Sequence, residues 1–258
     1  MTQNFFRLLF LAGISAIFFS CGSSGDRTMQ TETRRFEQRF YLTDNKSDGV
    51  LIVNMTVDLP KRFHNKRVLR IIRDDIITNV FGKEFVQYSN RNLLRNFAKK
   101  LSEEYRNNYL PFLSSEVFED SGLSFNEKFL LNAFAYGDEN IFSFFVVSET
   151  AHTFFNYNLR DGSRILEEDI FAENFEPILT EIMKQHLLAD LRINSIEELT
   201  GFWAENIVPN GNFFFINQAI QFVFNPYEIT RGPFDIIIPF ENLTEILKPN
   251  SLINRLTD

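Results

Sequence analysis

Only one cysteine, Cys21, occurs in the chain, so no internal disulfide can staple it and the fold must rest on its apolar core. Histidine is also scarce. His64, His152 and His186 stand in neither a His-x-x-x-His nor a His-Glu-x-x-His spacing. Hydrolytic metal sites need His, Cys and carboxylates to converge, so no metal and no cofactor are expected. A Gly-x-Ser-x-Gly elbow and a Gly-rich phosphate loop are missing, which leaves no serine-hydrolase or nucleotide-binding signature. Positive charge is in deficit: the formal net charge of −8 argues against a nucleic-acid binder and against simple electrostatic adhesion to anionic lipid, and it favours a cationic partner.

What is present begins with an address. Arg7 precedes an apolar stretch from Leu8 to Phe19, too short to span a bilayer comfortably and of the length of a secretion signal's hydrophobic part. Ser20-Cys21 follows, with a small residue directly before the cysteine, an arrangement resembling a bacterial lipobox. The expectation is a signal peptide over residues 1–20, lipidation at Cys21 and a flexible tether over 21–37 that holds the folded part near a membrane without a spanning helix. The alternative is an ordinary signal with a coincidental cysteine.

With 44% hydrophobic and 23% charged residues, the rest of the chain can build a sizeable core. Residues 36–42 and 50–59 read as strands around an Asp48-Gly49 turn, the second with Leu51, Val53, Met55, Val57 and Leu59 on one face and Pro60 closing it. Apolar residues then recur at three and four, predicting helices over 65–81 and 90–108. Residues 125–136, 141–148 and 152–159 read as an antiparallel meander. A helix follows over 174–192 with Pro177 in its first turn, then a short helix in which Ser195 and Glu198 can form a capping box. The predicted fold class is α+β, an antiparallel sheet packed with helices. The predicted organisation is one module over 38–250, divisible into subdomains 38–110 and 123–250.

The best-patterned stretch is Asn212 to Leu247: strand, turn, strand, short helix. Within it, Phe222-Val223-Phe224-Asn225-Pro226-Tyr227-Glu228-Ile229, a spacer with Gly232, and Ile236-Ile237-Ile238-Pro239-Phe240 followed by Leu243 resemble the end of a bacterial extracytoplasmic domain family. That family includes the external, lysozyme-sensing part of the anti-sigma factor RsiV, and its domain also accompanies some peptidoglycan deacetylases. Val57-Asp58-Leu59-Pro60 with Phe81-Gly82, and Asn158 to Gly162 leading into Ile165 to Phe171, extend the resemblance. The chain departs from the family by a shortened spacer, Thr230-Arg231, before the glycine. The metal-binding motifs of the deacetylases are absent.

The resemblance implies an RsiV-like fold and a binding role, with a basic lysozyme-like hydrolase or peptidoglycan as partner, while the membrane would be reached through the lipid expected at Cys21. It also singles out Ala151-His152, where the family has Gly-Gly-Ala-His. The candidate ligand-binding residues are therefore His152, Tyr227, Glu228 and Arg231, with Cys21 as lipidation site and no catalytic residue assigned. Two alternatives stay open: a cell-wall glycan-processing enzyme using His152 and a nearby carboxylate, and an envelope scaffold lipoprotein. Trp203 beside Phe202 reads either as a sugar platform or as core.

Overall fold

The computed structural model describes residues 27–113, 124–138, 140–148, 151–216 and 218–255. The signal segment, Cys21, the first part of the tether, Glu149, Thr150 and the predicted subdomain boundary at 123 lie outside them. The architecture is mixed α+β, with eight strands in two sheets and four helices among the described residues.

Strands β1 (Gln30–Tyr41) and β2 (Gly49–Arg62) form a long hairpin. On β2, Leu51, Val53, Met55, Val57 and Leu59 are buried while the residues between them are not, the pattern of a strand with one face on the core. Residues 30–37 belong to β1 rather than to a tether. Their charges mislead because β1 is an edge strand, and charged side chains on an edge discourage pairing with other chains. Pro60 does not end β2 either. It sits opposite Thr31 beside a register shift, a bulge site where the lost amide hydrogen breaks no ladder bond.

Helices α1 (Lys66–Val80) and α2 (Asn90–Tyr109) cross over one face of the sheet and return the chain to β3 (Phe125–Gly137), which lies parallel to β2. This parallel pair departs from the antiparallel expectation for the sheet. A parallel neighbour requires a crossover, and the two helices supply it. Asn65 starts α1 by accepting from the amides of Arg67 and Val68 at 3.1 and 3.3 Å, and Val68, Ile72 and Ile76 face the core. Strands β4 (Ile141–Val147) and β5 (His152–Asn158) complete the meander and the order β1-β2-β3-β4-β5. Gly162, at φ +84 in the turn after β5, lies so close to α1 that a Cβ there would meet Ile71 at 3.2 Å.

A short helix α3 (Glu167–Ile170) and helix α4 (Glu176–Leu191) lead to the second sheet, β6 (Phe213–Ile216), β7 (Ala219–Phe224) and β8 (Phe234–Pro239), all antiparallel. Leu179, Met183 and Leu187 of α4 pack with Phe213, Ile220, Phe222, Ile236 and Ile238 in a second core. The capping box at Ser195 does not form; residues 196–198 make a single 3₁₀ turn without a side-chain cap. The helical spacing after Pro239 likewise yields only a 3₁₀ turn, Phe240–Leu243.

The two cores separate near residue 160, after β5, rather than between 110 and 123, because β3 to β5 finish the sheet that β1 and β2 begin. The second sheet meets the first at β5. There Phe214 stacks on Phe154 with ring centres 4.8 Å apart and planes 6° from parallel, and Phe154 stacks in turn on Phe145.

Candidate functional site

Three asparagines join the sheets by side-chain bonds to backbone. Asn212, just before β6, accepts from the Phe154 amide at 3.0 Å and donates to the carbonyls of His152 and Val223, both at 2.9 Å. Asn225, just after β7, accepts from the His152 amide at 2.6 Å. Asn156 donates to the Phe213 carbonyl at 2.7 Å and accepts from Ser143 at the same distance. Strand β5 would otherwise present an unpaired edge at this point; the amide side chains satisfy it as a partner strand would.

The Asn225-Pro226-Tyr227-Glu228-Ile229 string is therefore first a clasp. Its acid turns back into the fold: Glu228 Oε2 accepts from the Asn225 amide at 2.8 Å and from Asn210 Nδ2 at 3.3 Å, while its carbonyl accepts from Asn206 at 2.9 Å. Ile229 is fully buried in the second core. Glu228, expected as a ligand contact, is thus engaged in holding the turn.

Tyr227 behaves differently. It is 75% exposed, and its backbone has φ +69, the left-handed region that a bulky residue seldom adopts. The turn's special conformation falls on this tyrosine; Gly232, the expected turn residue, is not at positive φ. Local bonds hold Tyr227 there, its amide donating to the Thr230 carbonyl at 2.8 Å and the Glu228 amide to the Asn225 carbonyl at 3.1 Å. Arg231 is exposed on the same turn. Trp203 adjoins it, donating its amide to the Ile229 carbonyl at 2.8 Å with 37% of its surface exposed, while Phe202 turns inward against Phe234. Trp203 is thus neither core nor isolated: it stands beside the Tyr227 turn. The pairing of residues 202 and 230 that brings it there is non-local and carries no periodic signal.

His152 lies at the start of β5, half-buried, with its backbone in the clasp. Burial pulls its imidazole below the ordinary histidine value, opposed by the charge of Asp235. Burial, aided by Asp190, pushes the Asp235 carboxyl up, opposed by a 2.7 Å hydrogen bond from Gln221 and by His152. Both groups are driven toward their neutral forms. The structure brings His152 to the clasp through Asn225, whereas Tyr227 and Arg231 lie on the turn beyond it. Four of the surface clefts are lined by residues other than His152, Tyr227 and Arg231. Among the described residues, no three His, Cys, Asp or Glu side chains are grouped so as to hold a metal ion.

The Asp235 shift carries a consequence for stability. A carboxyl whose folded-state value lies above its unfolded one binds the proton more tightly when folded. That contribution is full below the unfolded value and is lost as pH rises through the folded value. Asp235→Asn keeps an acceptor for Gln221 without the charge. It should raise the thermal midpoint at neutral pH, and the gap from the native chain should close on acidification into the carboxylate range, as read by melting curves across pH.

Residues 168–241 match the family model described as "Protein of unknown function (DUF3298)", a span that includes Trp203, the clasp asparagines of the second sheet and the Tyr227 turn. No match is found among curated proteins. Among solved structures, a DUF3298 family member from Bacteroides fragilis NCTC 9343 aligns at a TM-score of 0.79 with 19% identity, over 89% of this chain and 97% of that one. A DUF3298 family protein from Pseudomonas aeruginosa PAO1 aligns at 0.50 with 14% identity, over 86% and 96%. The chain thus has the fold of the Bacteroides protein, and its segment 168–241 is a match to DUF3298.

Proposed function

We propose that this protein is a lipid-anchored binding module of the bacterial cell envelope, and that its β7–β8 turn is the contact surface. The observation that carries this is Tyr227. A large aromatic side chain is held mostly in solvent, in a left-handed conformation that costs roughly 1–2 kcal/mol. The polar groups around it are engaged in fixing it there. Tyrosine, tryptophan and arginine are the residue types enriched at the centre of binding surfaces; Tyr227 and Arg231 share one turn, and Trp203 adjoins it through its backbone bond to Ile229. The RsiV resemblance of this same stretch suggests a basic cell-wall hydrolase of the lysozyme type, or a peptidoglycan fragment, as ligand. The acidic balance of the chain suits the former. The anchor follows from the apolar stretch before Cys21.

Calorimetric titration of the chain with lysozyme and with muropeptides tests this reading. Saturable binding to either is expected; silence with both up to millimolar ligand would remove it. A second reading draws on the electrostatic coupling of His152 with Asp235, an arrangement suited to moving a proton in a glycan-processing enzyme. Release of soluble fragments from peptidoglycan by the native chain, lost in His152→Ala at an unchanged melting point, would favour that reading.

A further inference from the structure

The negative net charge hides a strongly basic segment. Residues 61–73, Lys-Arg-Phe-His-Asn-Lys-Arg-Val-Leu-Arg-Ile-Ile-Arg, contain six of the chain's 26 lysines and arginines and no acid. In the fold, Lys61 and Arg62 at the end of β2 and Lys66, Arg70 and Arg73 on α1 line one cleft of about 530 Å³, with Asp74 as its acidic member. Lys66 and Arg70 lie four residues apart on one helix face, where like charges repel. Lys66 and Arg67 also occupy the first turn of α1, which has no acid and already carries the positive end of the helix dipole. The floor of the cleft is rigid. Arg73 donates to Asn90 Oδ1 at 2.9 Å, to Asp74 at 3.0 Å, to the Val86 carbonyl at 3.3 Å and to the Tyr88 carbonyl, and Asn90 in turn donates to the Pro60 carbonyl at 3.0 Å.

The position of this cleft gives it a partner. Gln30, where β1 begins, pairs with Arg62, so the chain enters the fold at the cleft's rim. Nine residues earlier stands Cys21, a separation of at most about 30 Å even when fully extended. We infer that the cleft docks, chiefly through Arg62, Lys66 and Arg70, onto the anionic headgroups of the membrane that holds the N-terminal lipid; Lys61 is already paired with Glu32 at 3.6 Å and Arg73 with Asp74 at 3.0 Å. The phosphates relieve the repulsion among the cations, and the contact orients the domain on the bilayer. A single lipid-linked point leaves a tethered domain free to turn; a second, electrostatic contact restricts it. The direction of docking rests on the lipid-anchor reading, whereas the affinity of the cleft for anionic headgroups does not.

The test is partitioning of the full chain onto vesicles of phosphatidylcholine with and without phosphatidylglycerol, at low and high salt, beside the double variant Lys66→Glu/Arg70→Glu. Both residues are exposed; if that variant fails to fold, Lys61→Gln/Arg62→Gln replaces it. Phosphatidylglycerol should strengthen binding of the native chain by on the order of fivefold per engaged basic residue. High salt and the double variant should each remove most of that gain. Equal binding to both vesicles by both proteins would overturn the headgroup contact and leave the anchor standing. Absence of binding to either vesicle would overturn both. An undiminished phosphatidylglycerol preference in the folded variants would overturn the assignment to this cleft. Capture of a single-stranded oligonucleotide without any lipid preference would overturn it in favour of a nucleic-acid surface.

Discussion

Asn212→Ala should lower the thermal midpoint by roughly 6–12 °C, an effect of about 3 kcal/mol in a domain of this size. The substitution removes little apolar contact. It removes the acceptor of the Phe154 amide and the donor to the His152 carbonyl, stranding two backbone groups at the seam between the sheets, while the Val223 carbonyl keeps its bond from Asn210 at 2.9 Å. Each stranded buried group costs about 1–3 kcal/mol, and water reaching the half-buried seam sets the lower end of that range. Asn212→Asp is the informative companion. It keeps the acceptor for Phe154, loses the donor and places a carboxylate against two carbonyls, so it should destabilise as well. A melting point unchanged by both substitutions would mean that the Asn156 and Asn225 bonds and the Phe214–Phe154 stack hold the sheets without Asn212.

Tyr227→Gly should weaken ligand binding at least tenfold while leaving the melting point within about 2 °C of the native value. Truncating a central aromatic contact commonly costs 2 kcal/mol or more of binding. Stability is the distinguishing readout. Glycine adopts positive φ without strain, which stabilises, and it loses more backbone entropy on folding, which destabilises; the two effects are each about 1 kcal/mol and oppose one another. The tyrosine side chain, 75% exposed, contributes little burial. Affinity lost at constant stability therefore separates a displayed contact from a structural one. A fall in stability with affinity intact would give Tyr227 the same role as Asn225 and Glu228.

Much of the fold is legible in the periodicities. The alternation of β2 and the three-and-four spacing of α1 and α2 identify their elements, since each buries one face on a core, and the period-two run of β7 identifies a strand although both of its faces are buried. The misread segments share a physical cause. Residues 30–37 look like tether because an edge strand is free to be charged, and Pro60 looks like a terminator because a bulge hides its missing amide hydrogen. The capping box at Ser195 fits the local chemistry, but the segment makes only one 3₁₀ turn before it must lead to Phe202. The parallel pairing of β2 with β3 is tertiary and has no local signature.

The candidate site divides along the same line. The string Asn225 to Ile229 stands out in the sequence, yet its residues have opposite roles: Asn225 and Glu228 satisfy backbone groups, Ile229 fills the core, and Tyr227 alone projects. Nothing in the order of the letters assigns these roles, because they depend on which groups β5 and the 203–212 segment present nearby. Trp203 joins the turn through a non-local backbone bond. The basic cleft was masked by a net charge averaged over the whole chain.

The most direct test of the central claim uses the fact that Trp203 is the chain's only tryptophan. Incorporation of 5-fluorotryptophan gives one fluorine resonance, located beside the Tyr227 turn and readable in the presence of lysozyme as well as muropeptides. The account predicts that this resonance shifts or broadens saturably on titration with one of the two, and that the response is lost in Tyr227→Gly. A resonance that stays unmoved while calorimetry registers saturable binding would place the contact elsewhere and contradict the account.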